Sequence, residues 1–238
     1  PGVLGVEPDR AGGFPEPRTM PLSETDAAAR ANWGLDRIDQ RSLPLDGRHG
    51  TKATGAGVTV YVLDTGMDTA HPEFGGRAQA AFNAVDRTTG ECDGHGTVVA
   101  GIAASRLHGV APQAQVRSVK VLDCHGVGRL SSLLAGIDWV TRNAQRPAVA
   151  VMSWSFGRSE ALAAAVHTLV DSGVFVAASA GNTGADDCAA LPRSVPGVTV
   201  VASSTSDDKR APTSSTGSCV DVYAPGVSIM STTAKGGI

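Results

Sequence analysis

From Val58 onward the chain repeats one pattern. A short, nearly continuous apolar run is followed by a stretch with apolar residues at helical spacing. This alternation limits the possible folds more than any other feature. The runs at Val58–Leu63, Val116–Leu122, Ala148–Met152, Val174–Ala178 and Val198–Ala202 read as strands. A strand apolar at successive positions is covered on both faces, as in a parallel sheet flanked by helices. Gly96–Ser105, Ser131–Asn143 and Glu160–Ser172 read as the helices between them. In the second, Leu130, Leu133, Leu134, Ile137 and Val140 fall on one face, and Ser131 or Ser132 is a plausible N-cap. The expected architecture is α/β, a mostly parallel open sheet with helices on both faces. Aromatic residues make up only 4%, which predicts an aliphatic core. Open sheets of this kind bind ligands beyond the carboxyl ends of their strands.

Charge and hydropathy narrow the partners. The net charge is -3, with no cluster of lysine and arginine, so a nucleic-acid partner is not expected. No apolar run approaches the ~20 residues of a membrane span. The first ten residues lack the basic start and apolar stretch of a signal peptide, and residue 1 is not methionine. An excerpt of a longer precursor is therefore expected. Residues 1 to about 30 are rich in proline and charge and read as a short strand, Val3 to Val6, then an extended tail. The four cysteines, Cys92, Cys124, Cys188 and Cys219, allow three pairings. Taken alone they are equally consistent with free buried thiols.

Three clusters carry chemistry. Asp64 ends the run Val-Tyr-Val-Leu-Asp and precedes Thr65-Gly66, which puts a carboxylate at the carboxyl edge of the sheet. Asp before Thr-Gly is also an ordinary turn cap. His95 lies in Asp93-Gly94-His95-Gly96-Thr97, where small neighbours leave its ring accessible at a helix start. Alone it is more simply a surface histidine. With Asp64 beside it, it becomes a general base held in one tautomer. Asn182 follows Ala180-Gly181 at the end of a third strand. Gly-Asn suits a turn, and its amide also suits donation to a developing oxyanion.

Asp-Thr-Gly, His-Gly-Thr and Ala-Gly-Asn, in this order, resemble the subtilase family, whose order of aspartate before histidine they share. The similarity runs from about Trp33 to Ser231 and is strongest to the proteinase K and aqualysin branch, through residues 32–40, 71–78 and 137–143. The resemblance implies a secreted, monomeric serine endopeptidase acting on peptide or protein substrates, with Asp64, His95 and Asn182 catalytic. It implies a peptide cleft between two strands. Gly126, Val127, Gly128 and Leu130 lie on one edge, Ser153, Trp154 and Ser155 on the other, with Ala180 and Gly181 alongside. A peptide there is held as an added β-strand. It also implies disulfides Cys92–Cys124 and Cys188–Cys219, and a structural Ca²⁺ at Pro196, Val198 and Asp221. Residues 1–26 resemble the end of an inhibitory propeptide, with mature sequence from between about Met20 and Ala28. Residues 27–238 resemble the catalytic domain.

The sequence departs from the family pattern in three places. The segment Ala224-Pro225-Gly226-Val227-Ser228-Ile229-Met230-Ser231 is present, but the Gly-Thr-Ser motif that carries the nucleophile in the family does not follow before Ile238. The nucleophile is expected beyond this chain, together with part of the core, and the chain alone is expected to be inactive. Ser155 and Phe156 stand where glycines usually let a substrate backbone approach, which puts the specificity and the activity of the full enzyme in doubt. Val98 replaces a second histidine. The alternatives are a peptide-binding pseudoprotease or an inert fragment.

Overall fold

The computed structural model describes residues 5–13, 32–50, 53–86 and 91–238. Its centre is a 7-stranded sheet in the order β3-β4-β2-β6-β7-β8-β9. The strands are β2 (Thr59–Asp64), β3 (Ala78–Asn83), β4 (Gln115–Lys120), β6 (Ala148–Met152), β7 (Phe175–Ser179), β8 (Val198–Ser204) and β9 (Val222–Pro225). Every neighbouring pair in this sheet is parallel, so all the carboxyl ends lie along one edge. The helices are α1 (Trp33–Ile38), α2 (His95–Ala104), α3 (Leu130–Asn143) and α4 (Glu160–Asp171).

Alternate residues of β2 show how the sheet is covered. Tyr61 and Leu63 pack with Leu133, Ile137 and Val140 of α3 and Leu162, Val166 and Leu169 of α4. Val60 and Val62 pack on the other face with Ala100 and Ala104 of α2. Helices thus cover both faces, and the continuous apolar runs follow from that double burial. The core is less purely aliphatic than the composition suggests. Trp154, Tyr61 and Phe74 are among the largest fully buried side chains. Trp154 is admitted because its indole N–H donates to the Leu63 carbonyl at 3.0 Å.

The five expected strands and three expected helices form within one or two residues of their predicted bounds. Strands β3 and β9 and the short α1 were not expected. The exposed residues of β9, with Val222 46% and Tyr223 47% accessible, lack the dense apolar signal of a central strand. Residues 5 and 6 are not in a strand, and Val6 is 90% exposed; Val3 and Leu4 lie outside the described residues. The tail strand is instead β1 (Ala11–Gly13), antiparallel to β5 (Val127–Arg129). Neither Ser131 nor Ser132 caps α3. Arg129 holds the cap position without a side-chain bond. Asp9 from the tail accepts the Ser131 N–H at 2.9 Å, and Ser132 Oγ donates to the Val121 carbonyl at 2.7 Å. Disulfides join Cys92 to Cys124 and Cys188 to Cys219, closing loops with sequence separations of 32 and 31.

Candidate active site

Asp64 ends β2 with its side chain almost wholly buried. A buried carboxylate needs hydrogen-bond donors. Oδ1 accepts from the Thr65 N–H at 2.7 Å and from His95 Nδ1 at 2.8 Å. A carboxylate can only accept, so the proton of this contact sits on Nδ1. The neutral ring then carries its lone pair on Nε2, as a general base requires.

His95 opens α2 directly above the end of β2. The helix start approaches the strand closely because residue 96 is glycine. A Cβ there would strike the backbone oxygen of Gly66. Gly94 makes the turn into the helix at φ 93°, a conformation that favours glycine. The small residues around His95 are therefore needed for close approach as well as access.

A second carboxylate supports the pair and was missed by the sequence reading. Asp93 accepts from the Thr65 hydroxyl at 2.5 Å and from the His95 backbone N–H at 3.1 Å. Its position two residues before a helix start was the available signal. Burial disfavours the charged His95 ring, but the Asp64 hydrogen bond and charge, with Asp93 behind them, outweigh it. The net result holds the ring above its ordinary range.

The tail strand lies between the two segments expected to flank a cleft. Gly12 and Gly13 lie opposite Gly128 and Val127 of β5. On the other side Gly13 exchanges two backbone hydrogen bonds with Ser155, each 2.9 Å. The side chains of Ser155 and Phe156 do not block this pairing, because the tail presents glycines. A Cβ on Gly12 would strike the Phe156 ring, and one on Gly13 would strike the Gly126 carbonyl. Phe156 is buried and pairs with Leu191, and Ser155 Oγ is engaged by Arg193.

Ala180, Gly181 and Asn182 follow β7 on the same edge of the sheet. Met152 pairs with Ala178 at the end of the β6–β7 register, and Arg193 bonds both Ser155 and Ala180 beyond it. Asn182 is exposed. Pro196, Val198 and Asp221 lie near the starts of β8 and β9, away from these clusters in the register, and Asp221 accepts the Val200 N–H at 2.7 Å.

Residues 55–237 match the subtilase family model. The chain belongs to the subtilase family. It is 47% identical over 220 residues to alkaline serine exoprotease A of Vibrio alginolyticus, covering 91% of this chain and 41% of the relative. It is 48% identical over 203 residues to an extracellular serine proteinase of Thermus sp. (strain Rt41A), covering 84% of this chain and 50% of the relative. A solved cold adapted subtilisin-like serine proteinase superposes with a TM-score of 0.84 at 46% identity, covering 86% of this chain and 76% of that one. The chain spans about half the length of the curated relatives it matches. Among the described residues, no helix is long and apolar enough to cross a membrane.

Proposed function

We propose that this subtilase chain is part of a secreted, monomeric serine endopeptidase in which Asp64 orients His95 and His95 is the general base. The observation that carries the reading is the buried 2.8 Å contact between Asp64 and His95 Nδ1 at the carboxyl edge of the sheet. The nucleophile is a serine hydroxyl that the family motif places after Ser231. Nε2 takes the hydroxyl proton as Oγ bonds to the scissile carbonyl carbon. Asn182 donates to the oxyanion. The imidazolium then protonates the leaving amine, the C–N bond breaks, and water later hydrolyses the acyl-enzyme.

The same reading assigns residues 5–13 to an inhibitory propeptide. Three tail contacts support it. Ala11–Gly13 fill the cleft, Asp9 binds the first turn of α3, and Glu7 accepts the Ala161 N–H at 2.8 Å at the start of α4. Carboxylates are favoured at helix N-termini. Hydrogen bonds from Ser159 and Ala161 lower the Glu7 pKa, and those from Ser131 lower that of Asp9. The hold these contacts give is thus present above the ordinary carboxylate range and is lost as pH falls through the lowered values.

A serine-directed fluorophosphonate probe tests the function. The 238-residue chain should not label. The protein extended through the serine motif should label and hydrolyse casein, and His95→Ala should abolish both. Glu7→Ala with Asp9→Ala should speed labelling severalfold. Labelling of a serine within the present chain, lost on His95→Ala, would show that the nucleophile has been misplaced.

The donor set at the proposed calcium position suits a hard cation. Asp221 supplies a carboxylate already tethered to the Val200 N–H, and Pro196 and Val198 supply carbonyls. Among the described residues no group of three or more His, Cys, Asp or Glu side chains is placed to hold a metal, so backbone oxygens must complete the site. Bound calcium would tie the start of β8 to the start of β9. At about a hundredfold excess over Kd it should stabilise the fold by about 2.7 kcal/mol. Asp221→Ala should remove the calcium-dependent rise in Tm. An undiminished rise in that variant places the ion elsewhere.

A further inference from the structure

Arg193 is a charged side chain that the reading above does not use. The residue is 2% exposed and its guanidinium is fully buried. It reaches this position because Leu191, two residues earlier, exchanges backbone hydrogen bonds with Phe156 at 2.9 and 3.0 Å. Arg193 Nη1 donates to the Ala180 carbonyl at 2.8 Å, and Nη2 donates to Ser155 Oγ. The guanidinium therefore bridges the segments 153–155 and 179–181. It also packs on the Gly181 backbone, where a Cβ would lie 2.8 Å from Nη1.

The charge of Arg193 is poorly matched. Arginine presents five N–H donors, and among the described residues Nε has no hydrogen-bond acceptor. Asp187 Oδ2 lies 3.8 Å from Nη1, beyond hydrogen-bond length. That oxygen already accepts from the Ser215 and Thr183 hydroxyls at 2.6 and 2.7 Å. Burial pushes the Arg193 pKa down, and Asp187 offsets this only in part. A buried guanidinium without a bidentate carboxylate is costly and suits an anionic partner with planar, two-oxygen geometry.

The tail shows where such a partner would arrive. Gly13 is paired antiparallel with Ser155. A peptide continuing that pairing runs past Trp154 to Ser153, along the segment whose Ser155 hydroxyl Arg193 holds. We propose that Arg193 is a specificity-determining residue that selects an acidic side chain, glutamate or aspartate, on the acyl side of the scissile bond. This rests on the endopeptidase reading. A purely structural strut between the cleft segments would show no preference for charge.

Peptides of one sequence ending in glutamate, glutamine or alanine separate these cases. Their binding to the 238-residue chain is measured by calorimetry at neutral pH. The tail competes equally with each peptide, so the ratios are unaffected. Hydrogen bonds to charged groups predict that the glutamate peptide binds about ten- to a hundredfold more tightly than its glutamine isostere. Arg193→Met should bring that ratio close to one, and Arg193→Lys should keep part of it. Equal or weaker binding of the glutamate peptide in the unaltered chain overturns the proposal and leaves the endopeptidase reading standing. A preference that survives Arg193→Met also overturns it. Failure of all the peptides to bind, with the tail contacts weakened by Glu7→Ala and Asp9→Ala, removes the cleft reading and this proposal together. If Arg193→Met does not fold, the glutamate-to-glutamine ratio of the unaltered chain and of Arg193→Lys decides.

Discussion

Asp64→Asn should lower kcat of the serine-containing enzyme by about 10⁴-fold, with little change in KM. The expectation follows from one proton. The Asp64 carboxylate can only accept, which keeps the His95 proton on Nδ1 and the lone pair on Nε2. An asparagine amide can donate instead, which favours the opposite tautomer and removes the base. The substitution preserves shape, and the Thr65 N–H that Oδ1 also accepts can still bond to the amide oxygen. Folding should therefore be affected far less than turnover.

The pH profile gives a second readout. His95 must be neutral to accept a proton. Its pKa is raised on balance, with burial opposing and Asp64 and Asp93 outweighing it. The acid limb of kcat/KM should therefore lie above the ordinary imidazole range and move down in Asp64→Asn. Titration of the His95 ring by NMR in the present chain checks the same shift without the nucleophile. A loss of less than tenfold in kcat, or a ring that titrates unchanged in the variant, would dissociate Asp64 from the base.

The central fold was legible because double-sided burial forces continuous apolar runs. Val60, Tyr61, Val62 and Leu63 are all buried, so β2 announced itself. Val222 and Tyr223 of β9 carry no such demand, and Ala78–Asn83 of β3 is half-buried and interrupted by Gln79. Both strands were invisible to a reading that looked for dense apolar segments. The tail strand was misplaced for a different reason. Val3–Val6 has the stronger β-propensity, but the cleft between Gly126 and Phe156 has no room for a Cβ at residues 12 and 13. Steric fit placed Ala11–Gly13 there against propensity.

The candidate site divides in the same way. Asp64 and His95 could be paired from their places at a strand end and a helix start. The supporting contacts were not legible, because no local pattern announces which distant group each side chain will meet. Trp154 fastens the cleft segment to Leu63, Asp93 reaches Thr65 across 28 residues, and Arg193 meets Ser155 across 38. The doubt raised by Ser155 and Phe156 also needed three dimensions. The Phe156 ring is buried, and the Ser155 hydroxyl is turned to Arg193. The backbone between these side chains pairs with a strand that presents glycine at residues 12 and 13.

Asn182→Ala should lower kcat of the serine-containing enzyme by about 10²–10³-fold and leave Tm nearly unchanged. The two halves of this expectation rest on different observations. Stability should hold because Asn182 is exposed, and among the described residues its side-chain amide has no hydrogen-bond partner to lose. Turnover should fall because the loop around it is fixed while its amide is left available. Gly181 turns the chain out of β7 at φ 105°. Its carbonyl accepts the Ser215 N–H at 2.9 Å, and the Thr183 N–H donates to Ser215 Oγ at 3.1 Å. Ser215 thus pins the residues on both sides of Asn182. A donor held in advance stabilises charge that develops only in the transition state, so kcat should fall while KM does not. Asn182→Asp should be at least as damaging, since it replaces a donor with a negative charge where an oxyanion forms. The check is steady-state kinetics beside thermal unfolding for both variants. A fall in Tm that accounts for the lost activity would make Asn182 a turn residue, and the oxyanion donor would have to be sought elsewhere on the edge of the sheet.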